Sequence, residues 1–156
     1  MLILGCGNQD RGDDGAGVAV VRRLRELGVD AVEHDGDMFA LVDAWSGSGE
    51  VVLVDAAVSG AAPGTITIWN ANASVLPAAT FRCSTHAFGV AEAVELARAM
   101  GRLPARLTLY GIEGASFDHG APLSPAVAEA VEQVAQKIAA GGPSRSPSGI
   151  LYHGYA

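Results

Sequence analysis

Cysteine is scarce in this chain. Cys6 and Cys83 are its only two, and they form no CxxC pair. That excludes a disulfide framework and a cysteine-rich zinc module, and a reducing, cytoplasmic setting is the simplest expectation. Positive charge is scarce as well: 10 Lys and Arg stand against 17 Asp and Glu, for a net charge of -7. A nucleic-acid binder needs a basic face and an anionic membrane repels an acidic surface, so neither is expected as a partner. No apolar run reaches the roughly 18 residues of a membrane span. The apolar start Met1-Leu2-Ile3-Leu4 has no basic region before it and is too short for a signal peptide. The catalytic motifs H-E-x-x-H and G-x-S-x-G are absent, as is a P-loop Gly-Lys-Ser/Thr.

What is present suits one globular domain. The chain has 156 residues, 49% of them hydrophobic and 17% charged, a mixture that argues against disorder. Met1–Leu4 has the pattern of a buried strand, and the loop 5–15 follows it. Val18, Val21, Leu24 and Leu27 then fall at helical spacing over residues 16–27, which Gly28 closes. Residues 30–34 form a short strand and 38–45 a helix. The β-branched run Val51-Val52-Leu53-Val54 predicts a central strand covered on both faces, with Asp55 at its end. Pro63-Gly64 marks a turn. The alternation over 65–69 then predicts an antiparallel strand at the sheet edge. A helix over 87–100, a strand over 107–110 and a last helix from Pro125 to about 139 complete the order, with Ser124 as its N-cap. The expected fold is a three-layer α/β/α sandwich around a mostly parallel, twisted sheet with one antiparallel edge strand. Residues 1–140 constitute the domain and 141–156 a flexible C-terminal tail rich in Gly, Pro and Ser, whose end from Ile150 is apolar enough to dock.

In an open α/β sheet, ligands bind beyond the carboxyl ends of the strands. That rule selects the loop after Leu4, the segment Asp35-Gly36-Asp37, Asp55, and residues 111–113; His86, at the start of a helix, can reach the same rim. The first loop matches two glycines of the dinucleotide fingerprint, Gly5 and Gly7. The third glycine position is Asp10, and Asp10, Asp13 and Asp14 would repel a pyrophosphate, so the loop suits a cation instead. One of Asp13 and Asp14 is expected to cap the helix while the other faces the cleft. Asp14, Asp55 and His86 together give two oxygen donors and one nitrogen, a set suited to a borderline divalent metal such as nickel or zinc. Asp37 is a secondary candidate for binding substrate or orienting a ligand, against the alternative of a solvated turn aspartate. Cys6 as a nucleophile with His86 as base is the weaker option, since a Cys under a glycine loop is usually small packing; Cys83 is expected to be structural.

The ordered landmarks resemble the hydrogenase maturation protease family. Gly5-x-Gly7-Asn8 and Asp13-Asp14-Gly15-x-Gly17 are followed by Val54-Asp55-Ala56, then Pro63-Gly64-Thr65 and Ser84-x-His86-x-x-Gly89. Leu107-x-Leu109-x-Gly111 and Leu123-Ser124-Pro125 close the set, which spans Met1 to Ile138. The resemblance implies an endopeptidase that clips the C-terminal extension from the nickel-loaded large-subunit precursor of a nickel-iron hydrogenase. It also implies that Asp14, Asp55 and His86 are the metal-binding and catalytic residues. Members of the family often carry Glu where this chain has the shorter Asp14. The nickel would be supplied by the precursor, with zinc or cadmium able to substitute in vitro, and the protein is expected to be a monomer. Whether water is activated by the metal or by a carboxylate stays open at this level. The alternatives are a non-catalytic nickel- or precursor-binding chaperone on the same fold and a flavodoxin-like ligand module. The acids of the first loop disfavour the module.

Overall fold

The structure, a computed structural model, describes residues 1–35, 37–81, 89–142 and 150–154. In chain order the strands are β1 (Leu2–Cys6), β2 (Val32–His34), β3 (Glu50–Ala57), β4 (Ile66–Asn70), β5 (Arg106–Glu113) and β6 (Ile150–His153). The helices are α1 (Ala16–Glu26), α2 (Met38–Trp45), α3 (Val90–Ala99) and α4 (Pro125–Ala139), with 3-10 turns at Gly12–Gly15 and Ala78–Phe81. The sheet order is β2-β1-β3-β5-β4-β6, and among the described residues only the β4–β5 pairing is antiparallel. The expected three-layer α/β/α sandwich is present.

The two faces of the sheet follow from strand alternation. Ile3, Val52, Val54, Ala56, Ile66, Ile68, Tyr110 and Ile112 turn toward α1 and α4. Leu4, Cys6, Leu53, Ala57, Trp69, Leu107 and Leu109 turn toward α2 and α3. β3 and β5 lie in the middle and are buried over most of their length, which is why β3 carries the continuous apolar run Val51–Val54 rather than an alternating pattern. Arg23 of α1 ties the outer helix pair together, its Nε and Nη2 donating to the two carboxylate oxygens of Glu132 on α4 at 2.7 and 3.1 Å.

Two boundaries shift in ways that matter for the site. β1 runs on to Cys6 and β3 to Ala57, so Asp55 lies inside a strand instead of ending it, paired with Gly111 of β5. Part of the expected tail is a strand: β6 runs parallel to β4 on its outer side. The antiparallel strand is therefore second from the edge, because Ile150 and Tyr152 pack their half-buried side chains against the α1/α4 core. The preceding residues 143–149 lie outside the described residues.

β1 and α1 approach so closely that two positions must be glycine. A Cβ on Gly17 would overlap the carbonyl oxygens of Cys6 and Val54, and one on Gly5 would overlap the carbonyl of Gly17 and Val21. Backbone lies on both sides, so nothing flexible can yield. Gly17→Ala is expected to destabilise the fold by about 3 kcal/mol or more, read as a shift of the denaturant midpoint. A loss under about 1 kcal/mol would show that α1 can move off the sheet.

Candidate active site

The chain leaves β1, crosses through α1 to β2 on one side, and returns to place β3 on the other side of β1. The crevice at the carboxyl ends of β1 and β3 is thus the topological switch point, where α/β folds place ligands. Asp14, from the loop after β1, and Asp55, on β3, meet there. Both are buried, at 1% and 3% exposure. Asp14 sits in the 3-10 turn Gly12–Gly15, and its Oδ2 accepts from the backbone N–H of Asn8 at 3.1 Å. Asp55 Oδ1 accepts from the N–H of Ala56 at 2.9 Å.

Burial pushes the Asp55 carboxyl well above its ordinary range, and the negative charge of Asp14 pushes it further; the Ala56 hydrogen bond offsets only part of this. Two carboxylates held this way repel each other when both are ionised. Such a pair either shares a proton or accepts a cation. His86, the third expected member, lies outside the described residues, as does Cys83. Among the described residues no three His, Cys, Asp or Glu side chains form a metal-holding group, so the geometry on view is that of the carboxylate pair.

Asp13 has the opposite environment. It is 0% exposed, and its carboxylate accepts from the N–H of Ala115 at 2.8 Å, of Ser116 at 3.0 Å and of Ser124 at 2.7 Å, and from the Ser124 hydroxyl at 2.7 Å. Burial alone would raise its pKa, but the hydrogen bonds from Ser116, Ser124 and Ala115 prevail and hold it below the usual carboxylate range. The expected division of labour holds in part: Asp14 faces the crevice, but Asp13 latches the segment after β5 instead of capping α1. The same contact corrects the reading of Ser124. It stands at the N-cap position of α4 yet makes no side-chain cap, because its hydroxyl is turned to Asp13. Gly12, at φ +57°, brings the turn against the Ser116 carbonyl, and Asp13 N–H donates to that oxygen at 2.8 Å. The latch thereby fixes the residue next to Asp14 at both its backbone and its side chain.

After β2, the acidic residue that turns to the crevice is Asp35, not Asp37. Asp37 is the N-cap of α2 and accepts from the N–H of Ala40 at 2.8 Å; its position just before a helix is an N-cap signal in the sequence. Asp35 lines a cleft of about 290 Å³ with Gly7, Asn8, Asp10, Glu33 and His34. Its carboxylate lies 3.5 Å from His34 Nδ1, and its charge reaches Cys6. The rule that ligands bind just beyond each strand end picks out Asp35, the first residue after β2.

Cys6 is unsuited to nucleophilic attack. It is 1% exposed, and burial raises its thiol pKa, with the charges of Asp55 and Asp35 adding to the effect. The thiolate is the reactive form, and this environment suppresses it. Cys6→Ala is expected to keep cleavage activity within about 3-fold of wild type, since only packing is altered. Loss of turnover in a folded Cys6→Ala protein would restore the thiol as a participant.

Comparison with known proteins points the same way as this geometry. A family profile described as hydrogenase maturation protease matches residues 28–141. The hydrogenase 2 maturation protease of Escherichia coli (strain K12) is 30% identical over 146 residues, which cover 90% of this chain and 88% of that protein. Among solved structures, the nickel-iron hydrogenase maturation protease HybD from Thermococcus kodakarensis superposes with a TM-score of 0.64 at 27% identity. That match covers 86% of this chain and 93% of the other. An endopeptidase from Escherichia coli superposes with a TM-score of 0.72 at 26% identity, covering 88% and 90%.

Proposed function

The chain belongs to the hydrogenase maturation protease family, and from that premise we propose that it is an endopeptidase that removes the C-terminal extension of a nickel-loaded hydrogenase large-subunit precursor. The observation that carries the reading is the Asp14–Asp55 pair: two buried carboxylates, mutually repulsive, at the switch point of the sheet. Nothing in the fold of a domain this size requires such a pair, and burying it costs stability. Strained charge of this kind gathers where chemistry is done.

The pair fits a divalent cation presented by the substrate. Asp14 and Asp55 offer oxygen donors, and a cation between them would relieve both the repulsion and the desolvation that raise the Asp55 pKa. His86, matched by its motif, is proposed as the nitrogen donor. The nickel carried by the precursor supplies Lewis acidity toward the scissile carbonyl or an attacking water. The protein's own part is to seat the scissile peptide at the pair and to take the proton of that water on a carboxylate oxygen. Asp55, inside β3 at the crevice, is proposed as that acceptor. The proton then passes to the leaving amine, and the peptide bond is replaced by a new carboxyl and a new amino terminus.

This reading makes metal dependence a property of the substrate and not of a resident cofactor. The test is the mass of a nickel-loaded large-subunit precursor before and after incubation with the protein. Loss of a C-terminal peptide with the wild type and not with Asp55→Ala is the expected result. An unchanged mass while the two proteins form a complex would identify a precursor-binding chaperone instead.

A further inference from the structure

Glu113 is a buried carboxylate that the proposed reaction does not use. It ends β5, on the rim that the carboxyl-end rule selects, and is 4% exposed. It pairs with Ala57 in the central ladder, where Asp55 pairs with Gly111. Alternation along the two strands turns Asp55 and Glu113 to one face of the sheet. They stand one strand and two residues apart, about 8 Å between backbones. Both oxygens of Glu113 are engaged. Its Oε1 accepts from the N–H of Ser59 at 2.8 Å and of Gly60 at 3.1 Å, and its Oε2 accepts from the Ser59 hydroxyl at 2.8 Å.

The backbone of Glu113 binds the far end of the same connector, residues 58–65 between β3 and β4. Gly64 N–H donates to the Glu113 carbonyl at 2.8 Å, and Glu113 N–H donates to the Thr65 carbonyl at 2.9 Å. One residue of β5 therefore closes the connector at both ends. Val58, Ser59, Ala62 and Pro63 are exposed, so the connector has little packing of its own. Its order comes from these bonds and from one of Val58 N–H to the Thr80 carbonyl at 2.8 Å. What the connector secures is the end of β3. The β1–β3 register stops at Gly5 and Val54, so among the described residues the sheet holds residues 55–57 from the β5 side only. Asp55 lies in that stretch, and its Oδ1 takes the Ala56 N–H at 2.9 Å. A shift of the Ala56 peptide would turn the Asp55 carboxylate with it.

We propose that Glu113 is a positioning residue for the cleavage reaction: by clamping Ser59 and Gly60 it holds the 55–57 end of β3 against β5, and through the Ala56 N–H it fixes the direction of the Asp55 carboxylate. The inference rests on the protease reading above and deepens it. A reacting group displaced by roughly 1 Å costs on the order of 100-fold in rate, so the end of the strand that carries Asp55 has to be held. The clamp works by hydrogen bonding and not by charge. A glutamine can reproduce it: Oε1 accepts both N–H groups, and Nε2 donates to the Ser59 hydroxyl, which accepts as readily as it donates. An alanine reproduces none of it.

The test compares Glu113→Ala, Glu113→Gln and Ser59→Ala in the intact protein on a nickel-loaded precursor. Glu113→Ala is expected to lower kcat about 100-fold with KM within about 2-fold of wild type. Ser59→Ala removes one bond of the three and should lower kcat about 5-fold. Glu113→Gln should stay within about 3-fold of wild type. Hydrogen exchange at the Ala56, Ser59 and Gly60 amides should quicken about 10-fold or more in Glu113→Ala and stay near wild type in Glu113→Gln. A Glu113→Gln protein as inactive as Glu113→Ala would overturn the proposal and give the carboxylate a direct part in the reaction. Wild-type kcat in folded Glu113→Ala, or a loss confined to KM, would overturn it too. Should Glu113→Ala not fold, Ser59→Ala decides at the smaller scale, and wild-type kcat and exchange there refute the clamp. If the wild type cleaves no nickel-loaded precursor, the protease reading fails, and exchange at Ala56 alone decides whether Glu113 holds the end of β3: quickening in Glu113→Ala supports it and an unchanged rate refutes it.

Discussion

Asp55→Asn is expected to abolish cleavage and to make the protein more stable. Asp55 is 3% exposed and sits beside Asp14. In the folded state its pKa is raised, first by burial and then by Asp14. The sign follows from linkage. Between the unfolded-state value of 3.8 and the raised folded value, the native state holds a proton that the unfolded chain has released. Stability therefore falls as pH rises through that window and stays reduced above it. Asparagine keeps the shape of the side chain and removes the titration. Above pH 4 the variant should gain about 1–2 kcal/mol, a rise in Tm of a few degrees, and the pH slope above 4 should flatten. Cleavage should fall by about 10³-fold or more, as expected when a proton acceptor and cation ligand are lost together. Thermal melts at several pH values and a precursor-processing assay check both halves. A less stable Asp55→Asn protein would mean that the carboxylate has a stabilising partner, and that the pair is structural.

Asp13→Ala is expected to do the reverse to the scaffold. Four hydrogen bonds converge on this one carboxylate, and its removal strands the N–H groups of Ala115, Ser116 and Ser124. Each stranded buried donor costs about 1–3 kcal/mol before relaxation, so a net loss of about 3 kcal/mol or more is expected. That is a large share of the stability of an ordinary domain, and it should lower Tm by about 10 °C. Asparagine offers little rescue, because every partner is a donor and half of its amide is a donor too. The pH dependence also runs opposite to that of Asp55. The folded pKa of Asp13 is depressed below 3.8, so its contribution is complete above the unfolded value and is lost as pH falls through the folded one. Asp13→Ala should therefore lose most of its deficit in strong acid. Because Asp14 follows directly in the chain, processing should weaken as well. A variant as stable as wild type would contradict the latch.

The contrast between these neighbours marks the limit of what the sequence alone conveys. The doubly covered sheet was legible because Val51–Val54 of β3 is a continuous, mostly β-branched run, and the first helix because Val18, Val21 and Leu24 repeat at helical spacing. The crevice was legible too, since strand order and the carboxyl-end rule bring Asp14 and Asp55 together without any side-chain detail. The role of Asp13 was not, because its partners lie some hundred residues away, at 115, 116 and 124. No local pattern distinguishes the residue that latches from the one that faces the cleft. Asp37 was singled out although its place just before α2 is an N-cap signal, which the bond to Ala40 bears out, and although Asp35 stands nearer the end of β2. β6 was missed as a strand because Ile150–His153 is short and stands after a Gly/Pro/Ser stretch. Its ordering comes from pairing with β4 and from packing of Ile150 and Tyr152, not from any signal of its own.

The proposed mechanism requires the buried acidic pair to act on a peptide bond only when the substrate itself brings the metal. It is tested most directly by presenting the wild-type protein with the same large-subunit precursor in nickel-loaded and nickel-free form and measuring the precursor mass. The C-terminal peptide is expected to be lost only from the nickel-loaded form, and free nickel added to the protein alone should not activate it toward the nickel-free form. Equal cleavage of the two forms would contradict it, and would make Asp14 and Asp55 a self-sufficient carboxylate dyad.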